Sequence, residues 1–207
     1  MANDNFPRGL VPLNWPSLKT HYYRVDTTND IFIGEFVDFA STGFVGNVIA
    51  VGSSGTQYAL GVAVGFAGPD KSGLATNDPY LDASDLTTLA SGLPTGDRWI
   101  EVADDPNQEF VVQADTGATM MGLSAVGETA TFIYRATSGN TDTGWANLEL
   151  DASTNGTSTG ALVQILKLHE VMNSDGTRNA AAANYAKWVV KILHHRKRGI
   201  ADSSLPI

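Results

Sequence analysis

The chain has 207 residues, 43% of them apolar, and 13 Lys and Arg against 22 Asp and Glu for a net charge of −9. That length accommodates one sizeable core or two small ones, and the apolar share excludes a disordered chain. Cysteine is absent, which excludes disulfides, thiolate metal sites and a cysteine nucleophile.

In chain order, the N-terminus MANDNFPRG carries acids and amides where a secretory signal would have a basic start and an apolar run. No window approaches the roughly 18 consecutive apolar residues of a membrane span, so a protein made in a cytoplasm and not crossing a membrane is expected. Residues 1–20 hold Pro7, Pro12 and Pro16 among Phe6, Leu10, Val11, Leu13 and Trp15. That spacing disfavours a helix or a central strand and predicts an extended arm. The arm either packs along its own domain or lies on a neighbouring subunit, and Phe6, Leu10 and Trp15 are its candidate partner contacts.

Residues 22–25 start the strands, and 31–39 continue with Ile31, Ile33, Val37 and Phe39 on one face and Phe32, Phe36 and Asp38 on the other. A strand apolar on both faces belongs inside a core or at a partner surface. Further strands are expected at 44–51 and 58–66, the latter carrying Gly61 and Gly65, which suit the bulges of a small barrel. Residues 21–70 are therefore expected to form a first β module. Residues 71–97, rich in Asp, Pro, Gly, Ser and Thr, form a long loop or linker in which 82–90 could hold one short helix. The second module is expected over 98–207.

The stretch WIEVADDPNQEFVVQ, residues 99–113, reads as a strand pair around a turn. Ile100 and Val102 alternate with Glu101 and Ala103, Phe110 and Val112 alternate with their neighbours, and Asp104, Asp105, Pro106 and Asn107 supply turn chemistry. Short strands follow at 119–123, 131–135, 145–150 and 161–170, separated by Ser, Gly and Asn clusters at the spacing typical of sandwiches and barrels. Residues 179–198 fit both periods. Their β-branched residues and the preceding Asp175-Gly176 turn favour a strand. The fold class is all-β: antiparallel small barrel or sandwich modules with an arm and one long loop.

Catalytic readings are weaker than structural ones throughout. His194 and His195 would point to opposite faces of a strand and cannot readily share a metal. Asp104, Asp105 and Asn107, like Asp78, Asp82 and Asp85, lack the glycine and terminal glutamate of a calcium loop. Glu101 and Glu109 alternate with apolar residues and read as solubilising, not as the paired carboxylates of a glycosidase. His21 and His169 read as surface residues. No nucleophile elbow, phosphate loop or dinucleotide fingerprint occurs. The expectation is no enzyme, no cofactor and no metal.

Charge is unevenly placed. Residues 1–150 hold 18 acids against 6 bases, a net of −12, whereas 151–207 hold 4 against 7, a net of +3. The acidic part argues against nucleic-acid binding. The basic run Arg196, Lys197 and Arg198 is either a solvated end or a docking element for an acidic neighbour.

Four segments in order, IFIGEFVDF with YALGVAVGF, WIEVADDPNQEFVVQ, GWANLELDAS, and ALVQILKLHE with KWVVKILHH, resemble a family of tailed-bacteriophage virion proteins regarded as head decoration or cement proteins. The resemblance spans about residues 20–195, and its weight rests on 99–113. It implies a non-enzymatic structural protein on the outside of the capsid. The implied partner is the major capsid protein, the implied state a homo-oligomer, by analogy a trimer, and the implied location the virion, assembled in the host cytoplasm. It carries over no catalytic residues. The alternative is a carbohydrate- or receptor-binding module of a tail or surface fibre, with Tyr80, Trp99 or Trp145 stacking on sugars.

Overall fold

A computed structural model describes residues 3–14, 17–25, 30–40, 43–47, 58–67, 79–82, 98–116, 120–156 and 161–198. In chain order the strands are β1 (Val11–Pro12), β2 (Thr20–Arg24), β3 (Phe36–Phe39), β4 (Val45–Asn47), β5 (Gly61–Ala67), β6 (Trp99–Ala103), β7 (Glu109–Gln113), β8 (Thr129–Ala130), β9 (Phe132–Gly139), β10 (Ala146–Leu150), β11 (Val163–Leu168) and β12 (Lys187–Ile192). The chain is all-β and its sheets are antiparallel.

One sheet has the order β2-β6-β5-β3-β4. Its two outer strands meet through a parallel bridge between Val25 and Val45, so the sheet curls round on itself as a small barrel. Val25, Val37, Val45, Ala63, Ile100 and Val102 fill the inside. One end is plugged by Ile31 and Leu81, whose backbones exchange two hydrogen bonds of 2.9 Å. The register against β6 shifts between Ala63 and Gly65, a bulge of the kind that lets a narrow barrel coil.

The second sheet, β1-β7-β12-β11-β8, closes with the help of the β9–β10 ribbon. Strands β8 and β9 form one run interrupted at Thr131, whose first end pairs with β11 and whose second pairs with β10. Strand β10 then returns to the end of β7 through a parallel bridge between Leu150 and Ala114. Phe110, Val112, Phe132, Leu148, Ile165, Trp188 and Val190 share the resulting core. Phe36, Val62, Val64 and Ala103, on the outside of the first barrel, belong to the same cluster. The ring of Phe36 meets Phe132 edge to face, with centroids 4.9 Å apart. The alternation read along 31–39 thus places Val37 inside the first barrel and Phe36 between the two.

Several expectations change. The strands of 99–113 exist but do not pair with each other: β6 pairs with β2 and β5, while β7 pairs with β1 and β12. The stretch is the crossing between barrels, and a boundary at 98 would cut β6 from its own sheet. Residues 120–122 form no strand, and a 3-10 turn, Leu123–Ala125, follows. The N-terminal segment lies along its own chain, the first of the two placements expected for it. Val11 and Pro12 extend the sheet beside β7, and the buried Asn3 side chain donates to the carbonyls of Ala180 and Asn184 at 3.2 and 3.0 Å. Leu81, placed in a surface loop by composition, is fully buried. The short helix expected at 82–90 falls, beyond Asp82, outside the described residues. Residues 187–192 are a strand, as their β-branched content favours.

Candidate functional site

After β12 the chain leaves the second barrel and lies against the first. Ala59 donates to the His194 carbonyl and Arg196 donates to that of Ala59, both at 2.9 Å. This places the turn Arg196–Arg198 over the acidic barrel. Arg196 donates from Nε and Nη2 to the carboxylate of Asp38 at 2.6–2.9 Å, a fork-to-fork pair on a side chain only 2% exposed. Lys197 donates to Asp104, which is 1% exposed and also accepts from the Tyr23 hydroxyl and contacts His21 Nδ1 at 2.8 Å. Arg198 caps the Pro106 carbonyl at 2.5 Å. Three successive basic side chains therefore clamp β3, the end of β6 and the crossing turn.

The electrostatics follow. Burial alone would raise the Asp104 carboxyl, but hydrogen bonds from Lys197, Tyr23 and His21 outweigh it and hold the group below its ordinary value. Lys197 loses hydration, yet Asp104 and Tyr23 keep its ammonium above its usual value. His195, 1% exposed, is pushed down to about 4 by burial and by the neighbouring Arg198. It is neutral at pH 7: Nδ1 accepts from the Lys197 amide at 3.1 Å, while Nε2 is buried without a partner among the described residues.

Two further carboxyls are buried. Glu35, fully enclosed, accepts from the Phe32 amide at 3.0 Å, the Asn47 amide side chain at 3.2 Å and the Tyr134 hydroxyl at 3.0 Å. Burial pushes it up to about 7 against the bonds from Phe32 and Tyr134. Gly34, at φ +92°, turns the backbone just before it, and a Cβ there would sit 2.2 Å from the Arg8 carbonyl oxygen. Glu149 accepts from Gln113 at 2.7 Å and lies 3.5 Å from Arg135, and burial still raises it. Each of these acids is held by donors from the same chain.

A concavity of about 730 Å³ shares no residue with the clamp. It is lined by residues 111–113 of β7, by β1 beside it with part of the segment 4–9, and by Lys187 at the start of β12, His169 and Val171. Among the described residues no group of three or more His, Asp or Glu is placed to hold a metal ion.

Of the candidate partner contacts, Leu10 is corrected: it is fully buried in the chain's own core, because its amide is tied to the Gly34 carbonyl at 2.9 Å. Phe6 is 49% exposed and carries Arg8 over its ring at 4.3 Å. Trp15 lies outside the described residues. Arg196 and Lys197 are engaged by the chain's own Asp38 and Asp104. Trp99 and Trp145 are half-buried, with Arg24 and Arg8 near their rings. Glu101, read as solubilising, accepts from the Thr20 hydroxyl at 2.6 Å. Asp105 does cap its own turn, accepting from Asn107 N at 2.8 Å. The chain matches no family model, no curated protein and no solved structure.

Proposed function

We propose that this chain is a non-enzymatic structural protein of a tailed-bacteriophage virion that binds the outside of the capsid and cements neighbouring capsomers as a homo-oligomer. The resemblance of its ordered segments motivates the reading. The observation that carries it is the clamp: the cations of 196–198 and the buried acids Asp38 and Asp104 fasten two barrels into one body. A cement protein has to transmit load between contacts without yielding, and a modest contact repeated across a shell is retained by multivalency. Exposed Phe6, Leu123 and Met172 supply apolar surface for such contacts.

The test is sedimentation of the purified protein with capsids that lack it. Saturable co-sedimentation at a fixed stoichiometry is expected, and no binding overturns the proposal. Light scattering checks the oligomer, for which a monomer at high concentration excludes the trimer.

A second reading, a glycan-binding module, is favoured by one feature. Tyr80 stacks on Phe32 at 4.7 Å, and Phe32 lines a polar groove with Asp30, Asn140 and Asn147. Binding on a glycan array that is lost in Asn147→Ala would support it.

A further inference from the structure

We propose that the groove along β7 and β12 is the binding site for an extended acidic peptide of a partner protein, gripped by Arg8 and Lys187. The groove's volume of about 730 Å³ falls within the range of ligand sites, and its walls at Val11, Val111 and Val171 are apolar. It also presents two cations, Arg8 and Lys187. Arg196, Lys197, Arg135 and Lys19 each meet a carboxylate of their own chain within 4.0 Å. Among the described residues Arg8 and Lys187 meet none within that distance; Arg8 lies over the rings of Phe6 and Trp145, and Lys187 acts on the Asp4 carboxylate only at longer range.

Asp4, the acid among the groove's lining residues, is itself hydrogen-bonded. Asp4 accepts from both the amide and the hydroxyl of Ser174, at 2.5 and 2.8 Å. His169, beside Lys187, is kept below its ordinary value by burial and by Lys187 and Lys167, so it enters as a neutral group. An occupant with carboxylates for Arg8 and Lys187 and apolar side chains for Val11, Val111 and Val171 complements this lining, in which Asp4 is the one opposing charge. Strands β1 and β7, which both line it, pair antiparallel, and the side chains of an extended peptide laid along them alternate. Residues 1–150, at a net −12, repel such a segment over much of the surface.

The inference stands apart from the capsid reading and is tested without a virion. The full-length protein is titrated into a short fluorescein-labelled peptide alternating Glu with Val, and into its counterpart with Gln for Glu, and anisotropy is followed. Saturable binding of the Glu peptide is expected, at least about tenfold weaker for the Gln peptide and weakening with salt. Arg8→Gln with Lys187→Gln should abolish the preference, while Lys19→Gln, whose cation pairs with Asp105, should leave it intact. If the double variant unfolds by circular dichroism, Val171→Asp, which sets an acid in the wall, should weaken the Glu peptide by a similar factor. No saturable binding, equal affinity for both peptides, or a preference that survives whichever of these groove variants folds overturns the proposal.

Discussion

Replacing Glu35 by Gln should change how stability depends on pH, and the sign is fixed by the direction of the Glu35 shift. The folded-state value is raised from 4.5 to about 7, so between those values the folded protein holds a proton that the unfolded chain releases. That stability is fully present below pH 4.5 and is lost as pH rises through 7. Linkage makes the loss between pH 5 and pH 8 about 2.5 kcal/mol. The amide is nearly isosteric. Its oxygen can accept from Phe32 and Asn47, and its nitrogen can donate to the Tyr134 oxygen. His195 acts in the opposite sense. Its folded value is lowered to about 4, so its contribution is present above pH 6.5 and is lost on acidification, about 2 kcal/mol of it by pH 5. The two nearly cancel in the native protein, so the informative quantity is variant minus native. Urea unfolding followed by tryptophan fluorescence should show that difference rising by about 2.5 kcal/mol from pH 5 to pH 8 in favour of the variant. Curves that stay parallel across this range would refute the reasoning.

Arg196→Ala leaves Asp38 buried and unpaired and should cost about 3 kcal/mol in urea unfolding; Asp38→Asn in the same chain should recover part of it, giving a non-additive cycle. Lys197→Met should cost less, because Tyr23 and His21 still hold Asp104, and should raise the Asp104 carboxyl in a carbon-detected NMR titration. Gly139→Ala places a Cβ 2.1 Å from the Phe32 ring and should cost about 2 kcal/mol while altering the near-ultraviolet dichroism of the Phe32–Tyr80 stack; an unchanged spectrum would mean the ring moves freely.

Strand positions were legible because a side chain's face follows from period two. Residues 100, 102, 110 and 112 are all buried as their alternation requires, and Val37 and Phe36 divide between two cores as 31–39 suggested. Pairing was less legible. Nothing in 99–113 distinguishes a hairpin from two strands that part, because the partners of β6 and β7 lie tens of residues away. The clamp was half legible. Charge totals marked 196–198 as a docking element for something acidic, but the receiving acids were read from local context. Asp104 resembled a turn residue, and Asp38 was placed on a face with Phe32 and Phe36 without its burial being inferred. For Glu35 a signal did exist, since an acid set in IFIGEFVDF has apolar residues on both sides and solvent on neither.

The crossing at 99–113 explains why the charge division of the chain does not require a second molecule to satisfy it. Because β6 stays in the acidic barrel while β7 begins the other, the turn 104–108 is the place where both barrels and the returning C-terminal segment meet. Asp104 ends β6, Arg198 reaches the Pro106 carbonyl, and Lys191 of β12 donates to the Asn107 side chain at 2.9 Å. A basic end placed anywhere else would repel its own sheet lysines and leave Asp38 and Asp104 as uncompensated buried charges. Because Arg196 and Lys197 are held by Asp38 and Asp104, Lys187 and Arg8 are the cations to test against the proposed peptide.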